Sequence, residues 1–484
     1  MKNYIIIKKY FLFLVFLPLS CITLLAQEQK VLLAGASMSN ITPDLGSGIV
    51  GNFGGNPPAQ YIHDELHAKT LVLDNGEKRI AFVVVDNISI AREVFDEAKR
   101  NIFQETKIAP ENILMSTTHT HSSVSGTWTG SRRHWWNEGL PFDKYQLFLI
   151  KRITDAVRNA VTNLEPAKIA WGVGSVPQHV YNRRWIMKEK VRSPFGGYEK
   201  VKMNPGFNND NKLKPAGPTD PDVAFISVQS LDGRPISIFA NYSTHYAGGV
   251  PKNDISADYF SVFADRIQQL IGADRQFPHF VGIMSNGTSG DINTVNYGGV
   301  QRRYEPYEKM KVVAEDLAQE VYRVYKDLEY RTWIPLDAIQ KEVRLKTRTS
   351  TEKQIARAKQ VLKRPKDKEY WHVHERSYAN RLLRMEAEYP RDINIILQAY
   401  RIGDLGVSSL PFEVFAETGL ELKKKSPFKT TFTIGLANGS YGYLPPPEQH
   451  KLGGYETWIG TSKVQEDATV ILVDELVKMF IEIK

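Results

Sequence analysis

The chain has 484 residues, with 62 lysines and arginines against 54 aspartates and glutamates, and a single cysteine. Its apolar fraction of 42% and charged fraction of 24% are typical of a globular protein and exclude an intrinsically disordered one. One cysteine excludes a disulfide scaffold and any metal site built from cysteines. A metal would therefore be held by histidine, carboxylate or phenolate groups.

Residues 1–26 predict a secretory signal peptide. Three lysines among the first nine residues precede an apolar run over residues 11–19, which is too short to span a membrane stably. Cleavage after Ala26 would give a secreted or periplasmic protein. Cleavage before Cys21 would instead give a lipid-anchored protein, but Pro18 fits a lipoprotein signal poorly. We expect the soluble product.

The charge balance limits the classes of partner. Loss of the three lysines in the signal peptide lowers the formal charge from +8 to +5. This mildly basic balance allows an anionic substrate or peripheral contact with a membrane surface, but it does not indicate nucleic-acid binding. The sequence gives no prediction of an oligomeric state.

Strand-like and helix-like segments alternate along the chain, which predicts an α/β fold. Segments with strand composition are 79–86, 113–115, 168–176, 222–229, 235–242, 280–284, 393–402 and 431–436. Segments with helical spacing are 92–105, 257–271, 307–328 and 470–483. Because no single βαβ unit repeats and no linker divides the chain, we expect residues 27–484 to form one large domain of mixed β-sheets flanked by helices.

Two further stretches stand apart in composition. Residues 181–221 are rich in Asn, Pro, Gly and Lys, and they predict a long surface loop. Residues 351–389 are highly charged and predict a helical insertion, with Thr351 and Gln354 forming a capping box at its start.

Polar residues that could bind a ligand or take part in catalysis follow several predicted strands. His119 and His121 come after the run 113–115, and a His-x-His pair on a strand points both imidazoles to the same side. His245 follows the strand 235–242. Taken singly, each is more often a surface or hydrogen-bonded histidine than a metal ligand. Their repetition at strand ends, where α/β folds bind ligands, favours a shared site.

Three later segments add candidates with simple structural explanations of their own. Glu413 follows a strand and could satisfy a helix dipole, and the loop from Ser289 to Asn293 could be an ordinary turn. Tyr443 and Tyr455 flank a proline-rich loop and could serve only in packing.

Taken together, these segments resemble the neutral/alkaline non-lysosomal ceramidase family, specifically its N-terminal catalytic domain. The similarity runs from Asn40-Ile-Thr-Pro through Ile62-His-Asp-Glu-Leu-His-Ala-Lys to Tyr455-Glu456. The family binds a catalytic zinc ion through two histidines, a glutamate and a tyrosine. The resemblance implies one Zn²⁺ per chain, with ligands at His119, His245, Glu413 and Tyr443.

The same resemblance places His121, Arg183 and Tyr455 in the active-site cleft. It also shows a departure, because the family's Gly-Asp-Val-Ser-Pro-Asn motif is Gly-Asp-Ile-Asn-Thr-Val here, with Asn293 at the serine position. In addition, family ceramidases carry a β-sandwich domain after the catalytic domain, and these 484 residues end before one. Both points leave the substrate open.

These features predict a secreted zinc-dependent hydrolase of an amide (N-acyl) bond that uses metal-activated water. His121 would move the proton, while Arg183, Tyr455 and Asn293 would stabilise the oxyanion.

Two alternatives remain at this stage. The enzyme could act on a carbohydrate or glycoconjugate gripped by Arg183, Arg184 and the pair Trp135–Trp136. It could also be an inactive binding protein of the cell envelope, since the family serine is missing. A second histidine pair, His372 and His374, is predicted to lie solvated on a helix, where the two side chains diverge too widely to share a metal.

Overall fold

The computed structural model describes residue 1 and residues 30–51, 55–127, 141–274, 276–365 and 368–484. Its strands are β1 (Leu32–Asn40), β2 (Tyr61–Ile62), β3 (His67–Asp74), β4 (Arg79–Val85), β5 (Ile113–Thr117), β6 (Glu165–Ser175), β7 (Tyr181–Asn182), β8 (Arg184–Arg192), β9 (Tyr198–Met203), β10 (Lys212–Pro215), β11 (Asp222–Ser230), β12 (Pro235–Tyr242), β13 (Asp254–Ile255), β14 (Val281–Asn286), β15 (Ile292–Asn293), β16 (Leu336–Lys346), β17 (Asp392–Ile402), β18 (Leu405–Ser409), β19 (Glu413–Val414), β20 (Thr430–Ile434) and β21 (Tyr443–Leu444). Its helices are α1 (Arg92–Thr106), α2 (Lys144–Thr162), α3 (Tyr259–Leu270), α4 (Glu308–Tyr325), α5 (Glu352–Lys363), α6 (Glu375–Glu388), α7 (Ala416–Lys425), α8 (Pro447–Leu452) and α9 (Ala468–Ile483). The predicted signal peptide, both of its cleavage positions and the pair Trp135–Trp136 lie outside the described residues.

Two β-sheets pack face to face at the centre of residues 31–484. The larger sheet has the strand order β14-β12-β11-β6-β1-β3-β4-β5, and the smaller has the order β16-β17-β18-β20. Most neighbours are antiparallel, but β4 with β5, β12 with β14 and β18 with β20 run parallel. Helices α1 to α4 cover the outer face of the larger sheet, and α7 and α9 cover that of the smaller. The predicted α/β fold with several mixed sheets flanked by helices is confirmed.

Strand β4 shows how the sequence builds two cores at once. Its run of six apolar residues is buried on both faces, so successive side chains enter different layers. Phe82 and its alternate neighbours face the smaller sheet, whereas Val83 and its alternate neighbours face α1 and α2. The ring of Phe82 lies 5.3 Å from that of Phe239 and 5.1 Å from that of Tyr400, so aromatic packing joins the two sheets.

The segment after β20 joins the two edges of the larger sheet. The Gly435 amide donates to the Asn286 carbonyl at the end of β14. The Thr117 amide, at the end of β5, donates to the Leu436 carbonyl. Because β14 and β5 are the outermost strands of the sheet, these hydrogen bonds bring the carboxyl ends of opposite edges together. Residues after β5, β12 and β14 can therefore meet at one place.

The prediction of a surface loop over residues 181–221 is wrong. This stretch forms β7 to β10, and β8 pairs with both β9 and β10 in a three-stranded sheet. Trp185, Met187 and Val201 are buried, while the lysines between them are exposed. Because side chains alternate between the two faces of a strand, few apolar residues are enough to bury one face. The low apolar content of this stretch therefore suggested a loop where strands form.

The charged segment 351–389 is helical as predicted. It contains α5 and α6, and the Thr351 side chain accepts from the Gln354 amide in the expected capping box. Among the described residues, no helix combines the length and apolar character required to cross a membrane.

Phe239 tests the contact between the two sheets. The side chain is fully buried, so Phe239→Ala should lower the free energy of unfolding by about 3–5 kcal/mol because it leaves a cavity between the sheets. Urea denaturation measures this loss. The matched substitution Phe103→Ala removes a ring that is 46% exposed and should change the free energy by no more than about 0.5 kcal/mol. Equal losses would contradict the packing described.

The burial of Lys99 can be tested through the pH dependence of the free energy of unfolding. It is buried on α1, its ammonium donates to Asn438 Oδ1 at 2.8 Å, and burial lowers its pKa to about 8 from an ordinary value of 10.5. Between these values the unfolded chain binds more protons, so Lys99 should make the free energy of unfolding rise with pH, by about 3 kcal/mol in total. Denaturation of the wild type and Lys99→Met across this range should show a steeper rise in the wild type, because Lys309 and Lys463, whose pKa burial also lowers to about 8, contribute to both. Parallel profiles would contradict it.

Candidate active site

The predicted site residues lie beyond the carboxyl ends of strands, as the sequence indicates. His119 and His121 follow β5, His245 follows β12, and Glu413 begins β19 after β18. The geometric reason given for the His-x-His pair is wrong, because β5 ends at Thr117 and His119 has a φ of 63°. A left-handed backbone is strained in a non-glycine residue and is found at functional sites. The two rings nevertheless lie with their centroids 4.8 Å apart.

Each of the three imidazoles is held through Nδ1 by a backbone carbonyl. His119 Nδ1 lies 2.6 Å from the Ile88 oxygen, His121 Nδ1 3.0 Å from the Gly51 oxygen, and His245 Nδ1 3.1 Å from the Ser289 oxygen. A carbonyl only accepts, so Nδ1 must carry the proton in all three rings. Each Nε2 therefore presents a lone pair, which is the tautomer of a metal-binding histidine.

The lone pairs and one carboxylate oxygen converge. His119 Nε2 lies 3.3 Å from His121 Nε2 and 3.3 Å from Glu413 Oε2. His245 Nε2 lies 3.6 Å from the same Glu413 oxygen. His245 Nε2 and Glu413 Oε2 are buried and lack a hydrogen-bond partner among the described residues. Four acceptors face one another here, and a cation between them would remove the repulsion.

The spacing and chemistry of these groups fit a metal ion. In a tetrahedral site with bonds of about 2.0–2.1 Å, neighbouring ligand atoms lie about 3.3 Å apart. The separations of Glu413 Oε2 from the imidazoles of His119 and His245 match this spacing. His119, His121 and His245 also form a cluster whose nitrogens all lie within 4.8 Å of one another. Burial lowers the pKa of His121 and of His245 well below the ordinary value, helped by neighbouring imidazoles and Arg183, so both rings are neutral.

Tyr443 stands beside Glu413 because β21 pairs with β19 in parallel, with these two residues as partners. The Tyr443 hydroxyl hydrogen-bonds to Glu413 and accepts from Arg183 Nη2 at 2.9 Å. Burial raises the pKa of Tyr443 well above its ordinary value, although Arg183 opposes the shift. The four residues that the family resemblance assigns to the metal are therefore linked through the contacts of Glu413.

Two consecutive arginines share one buried acid as their ionic partner. Arg183 Nε donates to Glu456 Oε1 at 2.9 Å, and Arg184 Nη1 donates to Glu456 Oε2 at 2.6 Å. The other donors of Arg184 reach the side chain and carbonyl of Gln449 and the Gly453 carbonyl. Because Arg184 is fully buried and its donors are used, it is not available to grip a sugar as the carbohydrate alternative requires.

Tyr455 and Asn293 differ in their relation to this centre. The Tyr455 ring packs edge-on against Tyr443 at 5.8 Å, and burial raises its pKa, so it remains a protonated phenol. The side-chain contacts of Asn293 are made to residues outside the histidine cluster. Its amide nitrogen donates to Asn204 Oδ1 and its oxygen accepts from the Val295 amide. It is joined to the site through Asn204, whose amide donates to the Arg183 carbonyl.

The end of β14 and the loop after it position the candidate ligand residues from behind. Asn286 Nδ2 donates to the carbonyls of Thr118 and His245, and its Oδ1 accepts from the Ser289 hydroxyl. The Gly290 amide donates to the Val414 carbonyl at 2.7 Å. A Cβ at Gly290 would lie 2.4 Å from the backbone carbonyl oxygen of Glu413, so only glycine fits there. One loop therefore fixes the segments that carry His119, His245 and Glu413.

The same loop contains a buried acid, Asp291. It accepts from Asn182 Nδ2 and the Ala416 amide, and burial raises its pKa to about 7. Asp291 thus connects β7, which precedes Arg183, to the start of α7, which follows Glu413 in the chain.

Several contributors were missed at the level of sequence. Tyr246 stacks on His121 with ring centroids 4.1 Å apart, and Asn286 was considered only as part of a turn. Glu456 could have been inferred, because two adjacent arginines beside buried strands require an acidic partner.

The second histidine pair is not on a helix. His372 and His374 precede α6, whose first residue is Glu375, so the predicted helical divergence does not apply. Their rings lie 5.5 Å apart, and both pack against Trp458, at 5.4 and 6.2 Å. They are partly buried rather than solvated.

Comparisons with known proteins agree with this architecture. A family model described as neutral/alkaline non-lysosomal ceramidase, N-terminal, matches residues 33–304. The crystal structure of neutral ceramidase from Pseudomonas aeruginosa matches with a TM-score of 0.68 and 15% identity, over 94% of this chain and 74% of that one. A ceramidase complexed with C2 matches with a TM-score of 0.67 and 14% identity, over 94% of this chain and 75% of the other. At these identities the structural matches show the fold.

Asn286 tests whether the loop after β14 holds the metal site together. Asn286→Asp keeps the shape and the acceptor for Ser289 but loses both donated hydrogen bonds, so metal affinity should fall about 10–100-fold. Competition with a chelator measures the affinity. The control Asn163→Asp removes a similar bond to the Ala36 carbonyl, away from the site, and should leave affinity unchanged. Equal affinities in the two variants would contradict the positioning role.

Proposed function

The chain belongs to the neutral/alkaline non-lysosomal ceramidase family, and from this premise we propose that it is a zinc-dependent hydrolase of an N-acyl amide bond in a lipid. The observation that carries the proposal is the buried convergence of Glu413 Oε2 with the Nε2 atoms of His119 and His245. Within the described residues, Glu413 Oε2 and His245 Nε2 have no hydrogen-bond partner. From the predicted signal over residues 1–26 we further propose that the mature protein is exported.

The proposed metal is zinc because the donor set combines imidazole, carboxylate and phenol oxygen, without thiolate. His119, His245, Glu413 and Tyr443 would hold it. When bound, zinc polarises the scissile carbonyl and lowers the pKa of water. A nearby cation would also favour ionisation of the Tyr443 phenol, which burial alone disfavours.

His121 is the proposed proton carrier. Its Nδ1 donates to the Gly51 carbonyl, so Nε2 is free to accept a proton from the attacking water and then to give it to the leaving nitrogen. Stacking on Tyr246 fixes the plane of the ring. The low pKa of His121, caused by burial, keeps the ring in the basic form before attack.

Arg183 and Tyr455 are the proposed oxyanion donors. The pKa of Arg183 is raised, because the attraction of Tyr443 and Glu456 outweighs the effect of burial, so the guanidinium stays charged. Its Nε and Nη2 are held by these same two residues. Two fixed contacts orient the group, so little reorganisation is needed as negative charge develops on the carbonyl oxygen.

Water, rather than serine, is the proposed nucleophile. Asn293 stands at the family serine position, and an amide is not nucleophilic. Ser289, the nearest serine in the motif, is buried and its hydroxyl donates to Asn286. Asn293 would contribute a hydrogen bond near the substrate rather than a covalent step.

Two variants separate the proposed roles. His121→Ala should keep the metal but lower kcat about 10²–10⁴-fold with an N-acylsphingosine substrate, because proton transfer is lost. Ser289→Ala should keep the metal and most of the activity. Metal content and steady-state kinetics on both variants are the measurements. An inactive, metal-loaded Ser289→Ala would restore a serine nucleophile, and loss of metal in His121→Ala would make His121 a ligand.

The substrate class has its own test. We expect turnover of long-chain N-acyl amines and none of oligosaccharides or glycoconjugates lacking an N-acyl lipid. Release of fatty acid, followed by mass spectrometry, measures the first, and reducing-end release measures the second. Turnover of glycans alone would overturn the amide assignment while leaving the metal site intact.

A further inference from the structure

A second cleft lies apart from the histidine cluster. It has a volume of about 540 Å³, and none of the proposed metal ligands lines it. Its walls are the β8–β9 hairpin, the start of α5 and the segment 450–459. That last segment also carries Tyr455, so its residues border both the cleft and the candidate active site.

The charged groups of the cleft are mostly cationic. Lys190, Lys200, Arg348 and Lys451 line it, together with one acid, Glu199. The oxygens of Glu199 are already used, since the carboxylate accepts from the Gly454 amide and from Trp458 Nε1. The acid therefore supports the wall, and its single charge leaves the four cationic side chains in excess.

Two of these cations lack an ionic partner. Arg348 pairs with Glu466, and Lys451 pairs with Glu448. Lys190 and Lys200 are exposed, and within the described part of the chain neither forms an ion pair. Two lysines on neighbouring strands of one hairpin thus present unbalanced positive charge to the cleft.

The end of a helix in the cleft favours an anion, and a histidine there is neutral. Thr351 and Gln354, the capping residues of α5, line the cleft, so the positive end of a twelve-residue helix is directed to it. His450 also lines it, and its buried Nδ1 has no hydrogen-bond partner among the described residues. Burial and the neighbouring Arg348 lower the pKa of His450 to about 3, so the ring is neutral and adds no charge to the cleft.

We propose that this cleft binds an anion of the phosphate or sulfate class through Lys190, Lys200 and the N-terminus of α5. Phe195, Leu452 and Trp458 also line the cleft, so the anion can be free or can be the head group of an amphiphile. Binding here requires no zinc and no hydrolysis. The proposal therefore stands or falls separately from the proposed catalytic function.

Isothermal titration with inorganic phosphate, at constant ionic strength, tests the site. Wild-type protein should bind phosphate saturably, and Lys190→Gln/Lys200→Gln should bind it at least about tenfold more weakly. The control Lys151→Gln/Lys429→Gln removes two exposed lysines elsewhere and should bind as the wild type does. No saturable binding, or equal weakening in both double variants, would overturn the proposal.

A second arm distinguishes the two sources of the anion. Sedimentation with phosphatidylcholine vesicles is compared with and without phosphatidic acid, in the presence and absence of inorganic phosphate. Binding that needs phosphatidic acid and is lost in Lys190→Gln/Lys200→Gln supports a lipid head group. Saturable binding of phosphate with no vesicle association supports a free anion. Vesicle binding that is unaffected by the lysine substitutions, with no phosphate binding, contradicts the site.

Discussion

Three hydrogen bonds from imidazole Nδ1 atoms to backbone carbonyls determine what this site can do. They fix the tautomers of His119, His121 and His245, so every Nε2 lone pair faces the same small space. Glu413 Oε2 lies in the same space, and no donor among the described residues reaches it. Such an arrangement of acceptors is unfavourable alone and favourable around a cation. The loop after β14 maintains it, because Asn286 and Gly290 hold the backbone segments on which the ligands stand.

The fold makes this convergence possible. Segment 435–438 hydrogen-bonds to the ends of β14 and β5, the outer strands of the larger sheet, and so brings His119 to the same place as the residues after β12 and β14. Around the centre, the buried arginines have an ionic partner. Glu456 pairs with both Arg183 and Arg184, and the second contact of Arg183 is made to Tyr443. Both guanidinium groups are thus held beside the candidate site by a buried carboxylate.

Much of the fold could be predicted from local pattern. The strand at 235–242 and the helices near 92–105 and 470–483 follow their periodicity, and the capping box at Thr351 has the expected geometry. The hairpin β8–β9 was missed, since two-residue alternation with lysines resembles a polar loop. The left-handed turn at His119 and the meeting of distant loops at Asn286 depend on tertiary hydrogen bonds, which no local pattern encodes. The resemblance of ordered motifs, rather than spacing, brought Glu413 and Tyr443 together with the histidines.

The metal itself is the central claim, and its stoichiometry is the most direct measurement. Plasma mass spectrometry on residues 27–484, after zinc addition and removal of free metal, should give one zinc per chain. His119→Ala should lose it. His372→Ala, which removes a histidine from the other pair, should retain it. Zinc lost from the first variant and kept in the second is the predicted result. No zinc in the wild-type protein, or equal zinc in all three, would contradict the account.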